Sequence, residues 1–205
     1  MEKEIRMTNT KFEIRSEGEN EKPVIVGYAA MFDSPADETN GFIEKIASGA
    51  FSDALKTSDT RALINHDPGQ VLGRVKSGTL KLKEDDKGLY YEIDPPDTTY
   101  ANDLIESMRR GDIDQSSFGF VIESEEWDDS GEIPVRTIKS VKELFDVSPV
   151  TYPWYENTES GLKSKEEVLQ EYRGKQAQLN KRKNDYFEKK LKTRRKIYLG
   201  GKHNG

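Results

Sequence analysis

The sequence predicts a mainly β domain with flanking helices, an α+β fold, followed by a basic tail. Three observations lead to this prediction. Short runs of alternating apolar and polar residues extend from about residue 23 to residue 155, two helix-like segments interrupt them, and the charge changes sign near residue 160. Such alternation is typical of antiparallel sheets that bury one face, because successive side chains of a strand point to opposite sides.

The predicted strands begin with the apolar run from Val24 to Ala29. Leucines alternate with polar residues over 80–82, an acidic turn follows at 84–88, and apolar residues alternate again over 89–93, which together predict a hairpin. A second hairpin is predicted to join 118–122 to 135–138 through the acidic stretch 123–131. The last strand is predicted over 144–150.

Two short helices are predicted between the strands. The first covers about Ala50 to Lys56, and the second runs from Thr99 to Gly111, with Thr99 as the N-cap and Gly111 as the residue after the last turn. Beyond Ser160, scattered apolar residues lie among Lys, Glu, Gln and Arg. Two alternatives remain for this tail, a long and lightly amphipathic helix or a solvated, partly disordered chain, with a frayed end at 200–205.

The length of 205 residues suits one domain with an appendage. We predict an N-terminal extension with a first strand at 1–21, the main domain at 22–156, and a basic helical or disordered tail at 157–205. Residues 160–205 carry 14 Lys and Arg against 5 Asp and Glu, a net charge of +9, and subtracting this from the chain's −6 leaves −15 for residues 1–159. An acidic body argues against a nucleic-acid-binding protein, so nucleic acid could be contacted only through the tail.

The composition also excludes several classes of site. The chain has no cysteine, which removes disulfides, thiol catalysis and thiolate metal sites. No apolar run approaches the ~18 residues needed to cross a membrane, and no signal peptide is recognisable at Met1. We therefore expect a soluble intracellular protein without a cofactor, a metal ion or a membrane partner.

His66 is the candidate base, because a hydroxyl nucleophile needs a neighbouring group that accepts its proton. The chain contains two histidines, and the other, His203, lies near the end of the tail. His66 follows an apolar run and precedes Asp67-Pro68. Taken alone, a histidine at a strand end beside Asp-Pro is more often a hydrogen-bonded turn residue than a catalytic base.

Ser117 is the candidate nucleophile. In an extended strand Phe118 and Phe120 share the core face, so Ser117 and Gly119 share the opposite face and Ser116 points toward the core. Gly119 would leave space for a close approach of another backbone. An ordinary buried strand with a packing glycine is the structural alternative.

Asp146 is the candidate third member, since it interrupts an apolar run where an unpaired carboxylate would be costly. Accepting the second ring N–H of a histidine would provide a partner and stabilise the imidazolium formed during attack. Glu143 is the reserve candidate. The structural alternative is a solvated acid on an edge strand.

Several short segments, taken in order, resemble the HK97-type family of phage prohead serine proteases, which are herpesvirus-assemblin-like enzymes of capsid maturation. The resemblance covers roughly residues 22–156. It is carried by Phe42-Ile-Glu44 with Gly49-Ala50-Phe51, Asn65-His66-Asp67, Leu72-Gly73-Arg74, Gly111-Asp112, Ser117-Phe118-Gly119-Phe120, and Asp146-Val147-Ser148 with Tyr152-Pro153. The chain has Pro153-Trp154 where the family usually has Pro-Ala.

The resemblance implies an antiparallel β-barrel of the assemblin type and a serine endopeptidase that works inside the immature capsid, the prohead, in the host cytoplasm. It implies that Ser117 is the nucleophile and His66 the general base, with the acid at position 146 as the third member. The place of Gly73 and Arg74 in the family pattern makes them a guess for the residues that donate hydrogen bonds in the oxyanion hole. The implied partners and substrates are the major capsid protein precursor, its scaffolding segment, other prohead proteins and the protease itself, with self-association as a further contact.

Two other classes of function remain open from the sequence. A noncatalytic module that binds the scaffold during capsid assembly would share the fold and tail but would need no triad. A nucleic-acid-binding protein would depend only on the basic tail, and its binding would weaken steeply with added salt. The joint presence of His66, Ser117 and Asp146 favours the peptidase.

Overall fold

A computed structural model describes residues 3–8, 13–15, 22–34, 41–152 and 165–200. Its strands are β1 (Glu4–Thr8), β2 (Glu13–Arg15), β3 (Val24–Met31), β4 (Ile43–Ile46), β5 (Arg61–Ile64), β6 (Asp67–Arg74), β7 (Leu80–Glu84), β8 (Gly88–Ile93), β9 (Gln115–Asp128) and β10 (Val135–Val150). Its helices are α1 (Ala54–Thr57), α2 (Thr99–Arg110) and α3 (Lys165–Gly200). The prediction of a mainly β fold with a few helices is confirmed.

The strands form two open sheets, which corrects the expected closed antiparallel barrel. Six strands form one sheet in the order β1-β9-β10-β5-β6, with β4 also paired to β10, and four form the other in the order β2-β3-β8-β7. The first sheet is mixed, because β10 pairs with β4 and β5 in parallel and with β9 antiparallel. Alternation along a strand tells which face is buried but does not tell which strands pair, so the sequence could not predict this.

The long strand β10 has two partners on one edge, which shapes the end of the sheet that carries the candidate site. Residues 135–138 pair with β4, and residues 146–147 pair with β5. Register shifts against β9 lie between these two segments, at 138–146. Irregularities of this kind bend a strand and increase its twist, which lets one strand serve two partners in turn.

One cluster of buried side chains contains residues of both sheets and of the short helices α1 and α2. Three of its aromatic rings are in contact. The Phe118 and Phe120 rings stack with centroids 4.8 Å apart, and Phe51 meets Phe118 edge to face at 5.6 Å. The predicted core face of β9 is therefore confirmed, and the rings fix this strand between the two layers.

Several local predictions are confirmed with small changes. The hairpin of β7 and β8 pairs Leu80 with Ile93, and Gly111 ends α2 with a left-handed φ of 80°. Thr98, instead of Thr99, precedes the first helical residue. The helix α1 occupies only the end of its predicted range, since residues 48–53 form turns, and the second hairpin is longer than expected because β9 continues to Asp128.

A cluster of five charged side chains, four of them buried, joins β1 to β4, β9 and β10 and is called the ion cluster below. It consists of Glu4, Arg6, Glu44, Glu125 and Arg136, of which only Glu125 is exposed. Arg6 contacts Glu44 and lies 2.6 Å from Glu4, while Arg136 lies 2.9 Å from Glu4, 2.8 Å from Glu44 and 2.6 Å from Glu125. Each buried charge therefore has at least two opposite partners, which offsets the cost of desolvation.

The ion cluster makes the free energy of unfolding change with pH in the acid range. Burial of Glu44 alone would raise its pKa, but the charges of Arg6 and Arg136 outweigh burial and lower the pKa from 4.5 to about 2. Because the folded-state pKa is depressed, the stabilisation is present above about pH 4.5 and is lost as the pH falls toward 2.

We expect the free energy of unfolding of the wild type to fall by roughly 3 kcal/mol over this pH window through this group. Denaturant unfolding between pH 5 and pH 2 is the measurement. Glu44→Gln should be less stable at neutral pH and should lose less stability in the window. The matched variant Glu106→Gln, at an exposed position of α2, should lose as much free energy of unfolding between pH 5 and pH 2 as the wild type. An equal loss in all three proteins would contradict the role given to Glu44.

The chain divides into two compact units, Met1–Ser164 and Lys165–Gly205. In the second unit, Lys165–Gly200 form the helix α3, which agrees with the first of the two alternatives over this part of the tail. Leu179, Tyr186 and Phe187 remain exposed on it. No helix within the described ranges is long and apolar enough to cross a bilayer.

Some predictions fall outside the described residues. These are the Pro153-Trp154 departure, His203, the frayed end at 201–205 and the predicted boundaries at 21 and 156. Residues 1–2, the start of the predicted N-terminal extension, are also outside them.

Candidate active site

Ser117 lies near the start of β9 on the face opposite Phe118, as the alternation predicts. Its side chain is only 1% exposed. The hydroxyl oxygen lies 2.7 Å from His66 Nε2, and the hydroxyl is also within reach of the backbone carbonyl of Arg6, at 2.9 Å. Since a serine has one hydroxyl proton, it can donate to His66 or to Arg6, but not to both at once.

His66 is held by a two-residue turn between β5 and β6. Asn65 and His66 both have left-handed backbone conformations, with φ of 51° and 60°, which cost of order 1 kcal/mol each for residues other than glycine. The turn is tied to the end of β10, because Asn65 N–H donates to the carbonyl of Pro149 at 3.0 Å and Asn65 Oδ1 accepts from Thr151 N–H at 2.8 Å. These bonds hold the imidazole over the face of β9 that carries Ser117.

Asp146 projects from β10 on the same face as Ser117. It pairs with Gly119 directly after a register shift between Leu144 and Asp146, and such an irregularity turns the following side chains relative to a regular strand. Asp146 Oδ2 lies 2.5 Å from His66 Nδ1. The carboxylate, at 1% exposure, is therefore aligned with the imidazole nitrogen that faces away from Ser117.

The remaining partners of Asp146 keep it ionised. Its Oδ2 accepts a hydrogen bond from the Ser148 hydroxyl at 2.8 Å, and its Oδ1 lies 3.1 Å from Lys3 Nζ. Burial by itself would raise the pKa of Asp146, but the hydrogen bond and charge of His66, the charge of Lys3 and the Ser148 hydrogen bond together lower the pKa below its ordinary value. The negative charge thus persists at neutral pH and can stabilise an imidazolium.

The structure brings the three leading candidates into one chain of hydrogen bonds, from Asp146 to His66 to Ser117. The reserve acid, Glu143, is exposed on β10, and within the described residues no hydrogen bond or ion pair joins it to His66. This separation favours Asp146 over Glu143 as the acid that orients the base.

Of the two guessed oxyanion donors, Arg74 has its N–H and its guanidinium paired with other groups, whereas the guess for Gly73 stays a prediction. Arg74 N–H donates to Thr79 Oγ1 at 3.0 Å, and the Arg74 guanidinium pairs with Asp59. Gly73 lies in the ladder opposite Ala62, where a Cβ atom would meet the carbonyl oxygen of Thr79 at 2.7 Å. An N–H that is already paired is not free to stabilise a developing oxyanion.

Gly119 is needed for the close packing of the site. A Cβ atom built on it would lie 2.5 Å from Lys3 Cε and 2.6 Å from Asp146 Oδ1. The space predicted beside Gly119 is therefore filled by two side chains instead of by another backbone.

We expect Gly119→Ala to displace Asp146 and Lys3 and to lower kcat/KM roughly 100-fold, since small misplacements of catalytic groups have effects of this size. Hydrolysis of a peptide substrate and thermal unfolding should be measured together. The matched variant Gly131→Ala, in the hairpin end where a Cβ meets nothing nearer than 3.7 Å, should keep the wild-type rate. A Gly119→Ala enzyme that is folded and fully active would contradict the packing role.

Lys3, Arg6 and Ser148 are the contacts of the site that the sequence did not indicate. Ser148 stands two residues after Asp146, so the period of a strand could have predicted that both share one face. Arg6 belongs to β1 and Lys3 directly precedes it, and no motif marks either residue, because their contacts depend on the pairing of β1 with β9.

The sequence model of caudovirus prohead serine proteases matches residues 10–171. The curated proteins contain no significant match. Among solved structures, that of the bacteriophage T4 capsid assembly protease is similar, with a TM-score of 0.47 and 13% sequence identity, over 74% of this chain and 98% of that chain.

Proposed function

Because the chain belongs to the caudovirus prohead serine protease family and is a serine peptidase, we propose that Ser117 is its nucleophile and His66 its general base. Asp146 orients His66 and stabilises its charged form. The observation that carries this proposal is the continuous hydrogen bonding from Asp146 through both ring nitrogens of His66 to the Ser117 hydroxyl. This is the arrangement that activates a serine.

In the proposed mechanism, His66 Nε2 takes the hydroxyl proton while Ser117 Oγ attacks the carbonyl carbon of the scissile peptide bond. Nδ1–H stays hydrogen-bonded to Asp146, so the positive charge formed on the imidazole faces a carboxylate. His66 then donates its proton to the leaving amine nitrogen, and an acyl-enzyme on Ser117 remains. Water, deprotonated by His66, releases the new carboxyl end and restores the Ser117 hydroxyl.

The proposed substrates are the scaffolding segment of the major capsid protein precursor, other proteins of the prohead and the protease chain itself. The place of action is the assembling capsid inside the host cell. Family membership supports this biological role, and the basic tail, with its net charge of +9, would suit attachment to an acidic scaffold during assembly.

The test is co-expression of the wild-type chain with the cognate capsid precursor, followed by intact mass measurement of both proteins. We expect the precursor to lose a defined segment, and the new termini to identify the peptide bond that is cut. A precursor that keeps its full mass and copurifies with a folded chain would contradict the proposal and would favour a noncatalytic assembly module.

A further inference from the structure

The strand β1 forms the edge of the first sheet directly beside the candidate nucleophile. It pairs antiparallel with β9, with Met7 opposite Ser117 and Arg6 opposite Phe118. The Arg6 carbonyl lies within hydrogen-bond reach of the Ser117 hydroxyl, and Lys3 just before β1 contacts Asp146. A segment of the chain itself therefore lies against two of the three triad members.

The contact with β1 competes with activation of the serine, because the single hydroxyl proton of Ser117 has two possible acceptors, His66 and the Arg6 carbonyl. When the Ser117 hydroxyl donates its proton to the Arg6 carbonyl oxygen at 2.9 Å, that proton is not directed to His66. With β1 in place, Ser117 is only 1% exposed. A peptide that reaches the hydroxyl along this edge of β9 must take the place of β1.

The side chains of β1 show what kind of peptide this edge accepts. Glu4 and Arg6, two residues apart, point to the same side of the strand and enter the ion cluster. The Arg136 guanidinium donates two hydrogen bonds to the Glu4 carboxylate, at 2.9 and 3.0 Å. The Arg6 guanidinium donates to the Glu44 carboxylate, with one hydrogen bond of 3.0 Å. Arg136 and Glu44 thus bind one acidic and one basic side chain of β1 at adjoining positions.

The charges of the ion cluster allow β1 to leave without stranding a buried ion. Glu4 and Arg6 cancel each other, and Glu44 and Arg136, which stay behind, contact each other at 2.8 Å. Loss of one partner from a buried pair is strongly destabilising, whereas two pairs that separate as neutral units avoid that cost. The strand β1 also precedes residues 10–171, which carry the family match.

We propose that the edge of β9 beside Ser117 is the binding site for an extended peptide, and that β1 occupies it as an internal competitor. The peptide adds as an antiparallel strand, as in other cases of strand addition. It carries an acidic residue followed two positions later by a basic residue, read by Arg136 and Glu44. This inference rests on the proposed function, because it takes Ser117 as the nucleophile.

The first test compares two charge exchanges of the same composition. The double variant E4R/R6E sets like charges against Arg136 and Glu44 and should release β1. The double variant E13R/R15E is the matched control, because it exchanges the same residue pair on β2, where both side chains are exposed. The rate at which a fluorophosphonate probe labels Ser117 is followed by intact mass.

We expect E4R/R6E to be labelled at least about tenfold faster than the wild type, since the rate rises with the fraction of molecules whose site is open. E13R/R15E should be labelled at the wild-type rate. A synthetic peptide of residues 2–10 should protect Ser117 in E4R/R6E, and the same peptide with its Glu4 and Arg6 exchanged should not. Equal labelling of the three proteins, or equal protection by the two peptides, would overturn the inference.

A second variant covers the case in which E4R/R6E fails to fold. Thr8 and Ser116 are opposite in the register of β1 and β9, and the chain has no cysteine of its own, so T8C/S116C can form one defined disulfide between these strands. The fluorophosphonate probe should label Ser117 of the oxidised protein at least about tenfold more slowly than Ser117 of the reduced protein. Equal rates for both forms would overturn the inference and leave the proposed function intact, whereas no labelling of any protein would contradict the proposed function itself.

Discussion

Ser117→Ala is expected to lower the rate of peptide-bond cleavage by roughly five to six orders of magnitude, the effect seen when the nucleophile of a serine protease is removed. The hydroxyl is the only group of Ser117 that contacts His66, and alanine cannot form an acyl-enzyme. Cleavage of the peptide bond identified by co-expression is the measurement. Because alanine is smaller and leaves both neighbouring strands paired, the variant should keep the fold.

Ser116→Ala is the matched control for Ser117→Ala. Ser116 is the preceding residue of β9 and is also buried, but its side chain belongs to the opposite face of the strand. We expect this variant to retain cleavage within a few fold of the wild type. If Ser116→Ala and Ser117→Ala lost activity equally, or if Ser117→Ala continued to cut, Ser117 could not be the nucleophile.

Asp146→Asn is expected to lower kcat by about 10⁴-fold with little change in KM, as for the corresponding change in other serine proteases. The asparagine keeps the size of the side chain but loses the negative charge that faces His66 Nδ1 at 2.5 Å. Its amide can also donate to Nδ1, which would place the ring proton on Nε2, where it blocks proton transfer from Ser117. The side chain is almost fully buried, so direct contact with substrate is minimal and KM should change little.

Glu143→Gln distinguishes between the two acids that the sequence left open. Glu143 lies on the same strand but is exposed, and its variant should cleave at the wild-type rate. The kcat and KM of both variants should be determined under identical conditions. A loss of kcat in Glu143→Gln with an unaffected Asp146→Asn would reverse the choice between them.

The elements that the sequence predicted are those whose signals are local. Hydrophobic alternation identified the core face of β9 and thereby selected Ser117 over Ser116, and a polar turn between alternating leucines identified the hairpin of β7 and β8. The left-handed conformation after α2 was predictable because Gly111 adopts it without strain. A charged residue inside an apolar run pointed to Asp146, because burial of a carboxylate requires partners.

The features that the sequence did not predict depend on contacts between distant segments. Two strands of the first sheet pair with β10 in parallel, and alternation alone does not distinguish parallel from antiparallel partners. The ion cluster was missed because Glu4, Glu44 and Arg136 look like ordinary surface residues until their strands meet. The site residues Lys3 and Arg6 were missed for the same reason.

The central claim is that Ser117 is a nucleophile activated by His66, and covalent labelling tests it most directly. The wild-type chain and His66→Ala should each be treated with a fluorophosphonate probe, digested, and searched for the modified residue by mass spectrometry. We predict one adduct per wild-type chain, located on Ser117, and no adduct on the folded His66→Ala variant. An adduct on another residue, or equal labelling of both proteins at Ser117, would contradict the claim.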